Sequence, residues 1–155
     1  MMWQMPKVII SDTSCFIILK NIGEIDLLHK VYGKVVTTLD IAEEYGEPLP
    51  EWVEIGTVKD KYSQQLLEMQ IDRGESSAIA LAIETPNCTL ILDDYKARKI
   101  AGKLGLNFTG TIGVIIKAKL NGTIASIKPI LEKIKKTDFY LSIDIELLAL
   151  EEAGE

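Results

Sequence analysis

Two hydrophobic periods alternate along this chain. Short runs rich in β-branched residues, Lys7–Ser11, Val35–Thr37, Thr89–Leu92 and Asn107–Thr109, read as strands. Trp52–Val58 reads as an edge strand, the position that tolerates the preceding Pro48 and Pro50. Between the strands the apolar residues recur at helical spacing. The segment Cys15–Leu19 follows the first strand at once, and Ile25, Leu27 and Leu28 belong to a helix that ends before Gly33. Asp40–Tyr45 predicts a short helix closed by Gly46. Further helices are predicted over Tyr62–Ile71, Glu75–Glu84, Tyr95–Leu104, Ile112–Leu120 and Ile127–Ile134. The second of these is apolar on nearly every side and is expected to be buried. Pro129 suits a first helical turn if Ser126 is the N-cap, and Ser142 is placed to cap a last acidic helix. Strands separated by helices predict an α/β fold with a mainly parallel sheet.

A length of 155 residues suits one domain with a real core, residues 137–155 forming its acidic tail helix. The longest stretch without a formal charge, Leu104 to Ile116, is too short to cross a bilayer and is interrupted by three glycines. The N-terminal MMWQMPK lacks a basic region followed by a long apolar one, so no secretory signal is read there. Cys15 and Cys88 stand far apart without histidine nearby, which fits reduced thiols in a cytoplasm and disfavours a zinc cluster. His29 is the only histidine, expected half-exposed near the end of its helix. Mechanisms that need a catalytic histidine would all have to use it. Of the tryptophans, Trp52 is expected in the core, and Trp3 carries no reading.

Several site signatures are missing: G-x-G-x-x-G, G-x-x-x-x-G-K-[ST] and G-x-S-x-G do not occur. The carboxylates are more informative. Asp12 directly follows the first strand, and Asp93 and Asp94 directly follow Thr89–Leu92. Ligands of open parallel sheets collect outside the carboxyl ends of the strands, so these acids share a rim if the two strands are neighbours. Glu44 borders the inward face defined by Ile41, Ala42 and Tyr45, and Glu75 aligns with Ala78, Ile79 and Ala82. Each acid also has a local explanation. Asp12, Asp93 or Asp94 can cap the helix that follows, Glu75 can be an ordinary first-turn acid, and Glu44 can be solvated. Together those explanations need four unrelated coincidences at one rim.

Carboxylates gathered in one pocket raise one another's pKa unless a cation neutralises them. An oxygen-only set without His or Cys selects hard ions, Mg²⁺ or Mn²⁺. Such ions bind phosphate oxygens, activate water and stabilise a leaving oxyanion, which suits hydrolysis of a phosphodiester.

Four segments, VIISDTSCFIIL, TTLDIAEEY, RGESSAIALA and LILDDYKARKIAGKLGLNFTGTIGVI, occur in an order that resembles the PIN-domain nucleases, especially the VapC-like toxins of toxin–antitoxin pairs. They spread over about residues 8–120. The resemblance implies a three-layer α/β/α fold, a metal-dependent ribonuclease activity on single-stranded RNA, often a homodimer, and an antitoxin protein as partner. It implies that Asp12 is the first metal-ligating acid, Glu44 the helical glutamate and Glu75 the glutamate opening the central helix. Asp93 or Asp94 corresponds to the fourth acid, and the sequence leaves both open. Ser14 and Thr111 stand where the family often has a hydroxyl or amide supporting the site. The second segment departs from commoner toxins in carrying Leu39 where a proline is frequent. Asp12, Glu75 and the Asp93/Asp94 pair are thus the expected metal-holding residues, with Glu44 completing the sphere or orienting water.

Two other readings compete. A phosphatase of the haloacid-dehalogenase type also places an aspartate after its first strand, but it needs a second aspartate two residues on, where this chain has Ser14. A non-catalytic RNA- or partner-binding module of the same fold would use the same surface without the chemistry. The charge balance of 17 Lys+Arg against 23 Asp+Glu first argues against a polyanionic substrate. Five of those acids lie in the last twelve residues, however, and residues 95–136 hold ten bases and Glu132 as their one acid. The low pI, about 4.9, therefore describes an acidic tail and a candidate metal site on a mildly basic body.

Overall fold

The strand segments join into one sheet in the computed structural model, which describes residues 7–155. Residues 1–6 lie outside the described residues, and with them Trp3 and most of the N-terminal segment read for a signal. The strands are β1 (Val8–Ser11), β2 (Val35–Thr38), β3 (Val53–Gly56), β4 (Cys88–Ile91) and β5 (Asn107–Thr109). Their order is β3-β2-β1-β4-β5 and every pairing is parallel. The helices are α1 (Thr13–Asn21), α2 (Asp26–Tyr32), α3 (Leu39–Tyr45), α4 (Lys61–Glu68), α5 (Arg73–Ile83), α6 (Tyr95–Lys103), α7 (Thr111–Leu120), α8 (Lys128–Lys135) and α9 (Ile143–Glu152). They cover the sheet to give a three-layer α/β/α fold. Among the described residues no helix is long and apolar enough to cross a membrane.

A parallel sheet covered on both faces must be built from apolar strands. Ile9, Ile10, Leu90 and Ile91 meet that need and are almost wholly inaccessible. The strongly apolar α5 lies against β1, β2 and β4 and packs on α3, α4 and α6. Its residues Ser76 to Ala82 are all buried, as its composition predicts. Elsewhere α2 packs on α7, and α9 rests on α7.

Some boundaries differ from expectation for identifiable reasons. The helix expected over Tyr62–Ile71 stops at Glu68, because Asp72 must leave helical geometry to cap α5. Ser126 is not the N-cap of α8: Ile127 holds that position, and the Ser126 hydroxyl turns to the Glu155 carboxylate. Ser142 caps α9 as expected, accepting from Ile145 N at 3.1 Å. Leu39 opens α3 without a proline because Thr38 caps it, its hydroxyl accepting from Ile41 N at 3.2 Å. Trp52 is half-buried rather than in the core, stacked on His29 with ring centroids 5.3 Å apart. His29 is exposed near the end of α2, its side chain turned to the Gly33 carbonyl.

The strand order reverses between β1 and β4, which places a crevice at their carboxyl ends. Those strands are direct neighbours with Ser11 opposite Ile91. The residues immediately beyond them are Asp12, Leu92 and Asp93.

Candidate active site

Asp12 is placed by two separate backbone demands. Its Oδ1 accepts from Cys15 N at 2.9 Å and so caps α1. Its Oδ2 accepts from Asp93 N at 3.1 Å, reaching across to the segment after β4. Its own N–H donates to the Ile91 carbonyl at 3.0 Å. Capping and facing the crevice are therefore compatible roles for one side chain. Asp12 is only 3% exposed, and it lines a cavity of about 370 Å³ together with Ser14, Glu44 and Glu75.

Glu44 and Glu75 meet there because α3 packs directly on α5. The approach is close at Gly74, where a Cβ would stand 2.9 Å from Glu44 Oε2 and the glutamate side chain would have to shift. Glu44 is exposed, Glu75 half-buried. Asp72 caps α5 by accepting from Glu75 N at 2.9 Å, which brings another carboxylate beside Glu75.

The electrostatics follow from that crowding. Burial, then the charge of Asp93, pushes Asp12 up to about 7, against the lowering effect of the Cys15 and Asp93 N–H groups, and Glu44 adds a smaller push. Burial, followed by Asp72, Asp94, Asp12 and Glu44, pushes Glu75 up to about 8. The helix N-terminus favours a carboxylate at Glu75 by only about 0.3–1 kcal/mol. Burial and like charge outweigh it, since the Glu75 carboxyl is pushed from 4.5 up to about 8. Cys15 beneath Asp12 is fully buried, and burial with the Asp12 and Asp93 charges pushes its thiol far above the ordinary range. Cys15 thus lacks the thiolate that a ligand or nucleophile needs. Both cysteines are free and buried.

The adjacent aspartates have different surroundings. Asp93 Oδ1 accepts from Thr111 N at 2.8 Å, and its Oδ2 accepts from Thr111 Oγ1 at 2.6 Å. Gly110 makes room, since a Cβ there would stand 2.9 Å from Asp93 Oδ1. Asp94 is exposed and caps α6 through Ala97 N at 2.9 Å, close enough to Glu75 to raise its pKa. Thr111 is fully buried, and Ser14 half-buried in the same cavity as Asp12.

Four residues at the site, Thr137, Asp138, Phe139 and Asp72, escaped the sequence reading, and Arg98 was read only within its segment and as one of the ten bases of residues 95–136. Thr137, Asp138 and Phe139, between α8 and α9, line the same cavity as Asp12. Asp138 follows neither a strand nor an apolar helical face, so no local pattern marked it. Asp72 had a signal in its spacing three residues before Glu75, the signature of a cap. Arg98 flanks Gly110 with its Nη1 3.8 Å from the Cβ position of that glycine, and it shares a second cavity with Asp93.

Among the described residues no three acidic, His or Cys side chains are arranged to hold a metal ion. Both oxygens of Asp12 and of Asp93 already accept one hydrogen bond, and Asp94 is turned to its own helix. Each carboxylate oxygen retains a further acceptor position. The donor set that faces the cavity is made of oxygen alone.

The DUF3368 family model, described as a PIN domain, matches residues 8–155. No curated protein and no solved structure matches the chain. The matched span begins with β1 and contains the whole acidic rim with its supporting threonine. The chain belongs to the PIN domain family, whose fold is of the nuclease type.

Proposed function

We propose that this protein is a metal-dependent endoribonuclease that hydrolyses phosphodiester bonds of single-stranded RNA. One observation carries the reading: Asp12, Glu44, Glu75 and Asp93 gather where the strand order reverses, and none of them forms an ion pair among the described residues. A pocket so short of positive charge is suited to a cation. Oxygen donors favour Mg²⁺ or Mn²⁺. Asp12, Glu75 and Asp93, with Asp94 at the rim, would hold the ion through acceptor positions not already engaged. When bound, such an ion polarises phosphoryl oxygens and lowers the pKa of water.

The remaining work falls to the chain itself. Thr111 holds Asp93 by two hydrogen bonds, and the N–H groups of Cys15 and Asp93 hold Asp12, so both carboxylates keep their orientation before substrate arrives. Glu44, exposed at the cavity, orients the attacking water and accepts its proton at a carboxylate oxygen. Ser14 donates a hydrogen bond toward a phosphate oxygen. RNA as the substrate rests on the likeness to VapC-like toxins, and so do a toxin role paired with an antitoxin protein and a homodimeric state, while a cytoplasmic setting rests on the two free thiols.

Incubation of pure protein with labelled single-stranded RNA in Mg²⁺, Mn²⁺ or EDTA tests the proposal. Cleavage is expected with either ion and is lost in EDTA and in Glu75→Gln. Cleavage that survives chelation or the substitution would sink the mechanism. The competing reading is a non-catalytic RNA- or partner-binding module, favoured by the absence of three acids already framing an ion among the described residues. Bound RNA that stays intact in every metal condition selects that module.

A further inference from the structure

The acid-lined cavity is linked to others by shared walls. Phe139 borders it and also borders a second cavity of about 360 Å³ that contains Asp93, Gly110 and Arg98. Arg98 in turn borders a third cavity of about 370 Å³, between Tyr95, Lys99 and Phe108. These recesses lead from the acids to the outer side of α6 and the edge strand β5.

Chemical character changes along that path. Tyr95, next in sequence to Asp94, is 79% exposed. The Arg98 guanidinium lies over the Phe108 ring, 5.1 Å from its centroid. Its Nε is buried and has no hydrogen-bond partner. A buried donor without an acceptor is costly, and it marks a place where an acceptor oxygen would be welcome. Among the described residues Lys96, Arg98, Lys99 and Lys103 form no ion pair. Farther along the same basic stretch the case differs: Lys119, Lys133 and Lys135 are matched by Glu155, Glu24, Glu132 and Glu146. Of the cations without an ion pair among the described residues, which also include Lys117, Lys128 and Lys136, those of α6 lie nearest in sequence to Asp93 and Asp94.

We propose that Tyr95, Arg98, Lys99 and Phe108 form a nucleotide subsite for the single-stranded RNA substrate. A backbone phosphate is held by Arg98 and Lys99, and the adjoining base stacks on Tyr95. Phe108 supports the guanidinium plane from beneath. The subsite rests on the ribonuclease reading and adds to it the direction in which the strand leaves the acidic centre. Single strands suit it, because only unpaired bases are free to stack on an exposed ring.

Binding is measured by the fluorescence anisotropy of a labelled single-stranded RNA of about twelve nucleotides, in EDTA so that the strand stays intact. Tyr95 and Lys99 are both exposed, so substitutions there leave the core undisturbed. Tyr95→Ala is expected to weaken binding about five- to 100-fold, while Tyr95→Phe retains it. Lys99→Ala is expected to reduce the slope of log affinity against log salt by about 0.7. The same strand annealed to its complement gains nothing from Tyr95. Wild-type affinity and salt slope in Tyr95→Ala and Lys99→Ala would overturn the subsite, as would an equal loss in Tyr95→Phe. The ribonuclease reading fails by a different result: RNA left intact by the wild type in Mg²⁺ and Mn²⁺. RNA cleaved with unchanged KM by Tyr95→Ala removes the subsite alone, and RNA not bound at all removes both.

Discussion

Two groups of acids in this chain carry the same charge in opposite surroundings. At the carboxyl ends of β1 and β4, Asp12 and Glu75 meet burial and other carboxylates, and their pKa values rise to about 7 and 8. In and after α9, Glu146 meets Lys135 at 2.5 Å, and Glu155 meets Lys119 at 3.7 Å. Glu155 also accepts from Ser126 and from Ile127 N, and those hydrogen bonds hold its carboxyl below the usual range. A high density of acids marks neither group as a site. What separates them is the countercharge: lysines of α7 and α8 meet Glu155 and Glu146 and fasten α9 to the body, whereas Asp12, Glu44, Glu75 and Asp93 form no ion pair among the described residues. In the proposed function, a cation from outside the chain would be the partner of the rim.

The comparison breaks most sharply on activity. Asp12→Asn is expected to lower RNA cleavage by at least about 100-fold, while Glu146→Gln on the tail leaves it unchanged. Equal losses from both substitutions, measured on folded protein, would show that the rim has no special standing.

Stability against pH is the next largest effect. Asp12 and Glu75 titrate near 3.8 and 4.5 when unfolded but near 7 and 8 when folded. The folded protein therefore keeps protons that the unfolded chain has already released. Their contribution is complete below about pH 4 and is lost as pH rises through 7 and 8. In EDTA the melting temperature should fall between about pH 5 and 8.5, by an amount worth a few kcal/mol, and Asp12→Asn should flatten the decline. Glu155 and Asp60, both lowered, act with the opposite sign and only on the acid side, so they do not obscure this window. A melting temperature that climbs across it would contradict the crowding of charge at the rim.

Mn²⁺ should offset that same decline. At 100 times its dissociation constant it stabilises the fold by about 2.7 kcal/mol, read as a rise in melting temperature at about pH 8. Asp12→Asn should lose the rise, and Glu146→Gln should keep it. The smallest effect belongs to the tail: Glu155→Gln should lower the melting temperature slightly, less so at high salt, with cleavage untouched.

Local signals were readable wherever neighbours in sequence supply the physics. The strand Asn107–Thr109 coincides with β5, and β1, β2 and β4 lie within one residue of expectation at each end. Ser142 and Gly46 end their helices as their residue types predict. Asp12 could be placed just beyond a strand, and Glu75 on a buried helical face. The choice between Asp93 and Asp94 could not be made, since it depends on Thr111, 18 residues away, engaging one and on Ala97 N engaging the other. Asp138 was silent for the same reason, whereas Arg98 was legible as one base among ten but not as a neighbour of Asp93, which packing decides.

Periodicity, caps and turns operate over three or four residues, so the chain by itself determined its strands, its helices and an α/β plan, and it put acids at strand ends. The tertiary structure decided that β1 and β4 are neighbours, because strand order is set by how whole faces are covered. It also decided which charges are compensated. The ten bases of residues 95–136 read as one basic stretch, yet folding brings Glu24, Glu146 and Glu155 onto some of its lysines and leaves the cations of α6 without an ion-pair partner among the described residues. Countercharge depends on distance in space, which the order of residues along the chain does not specify.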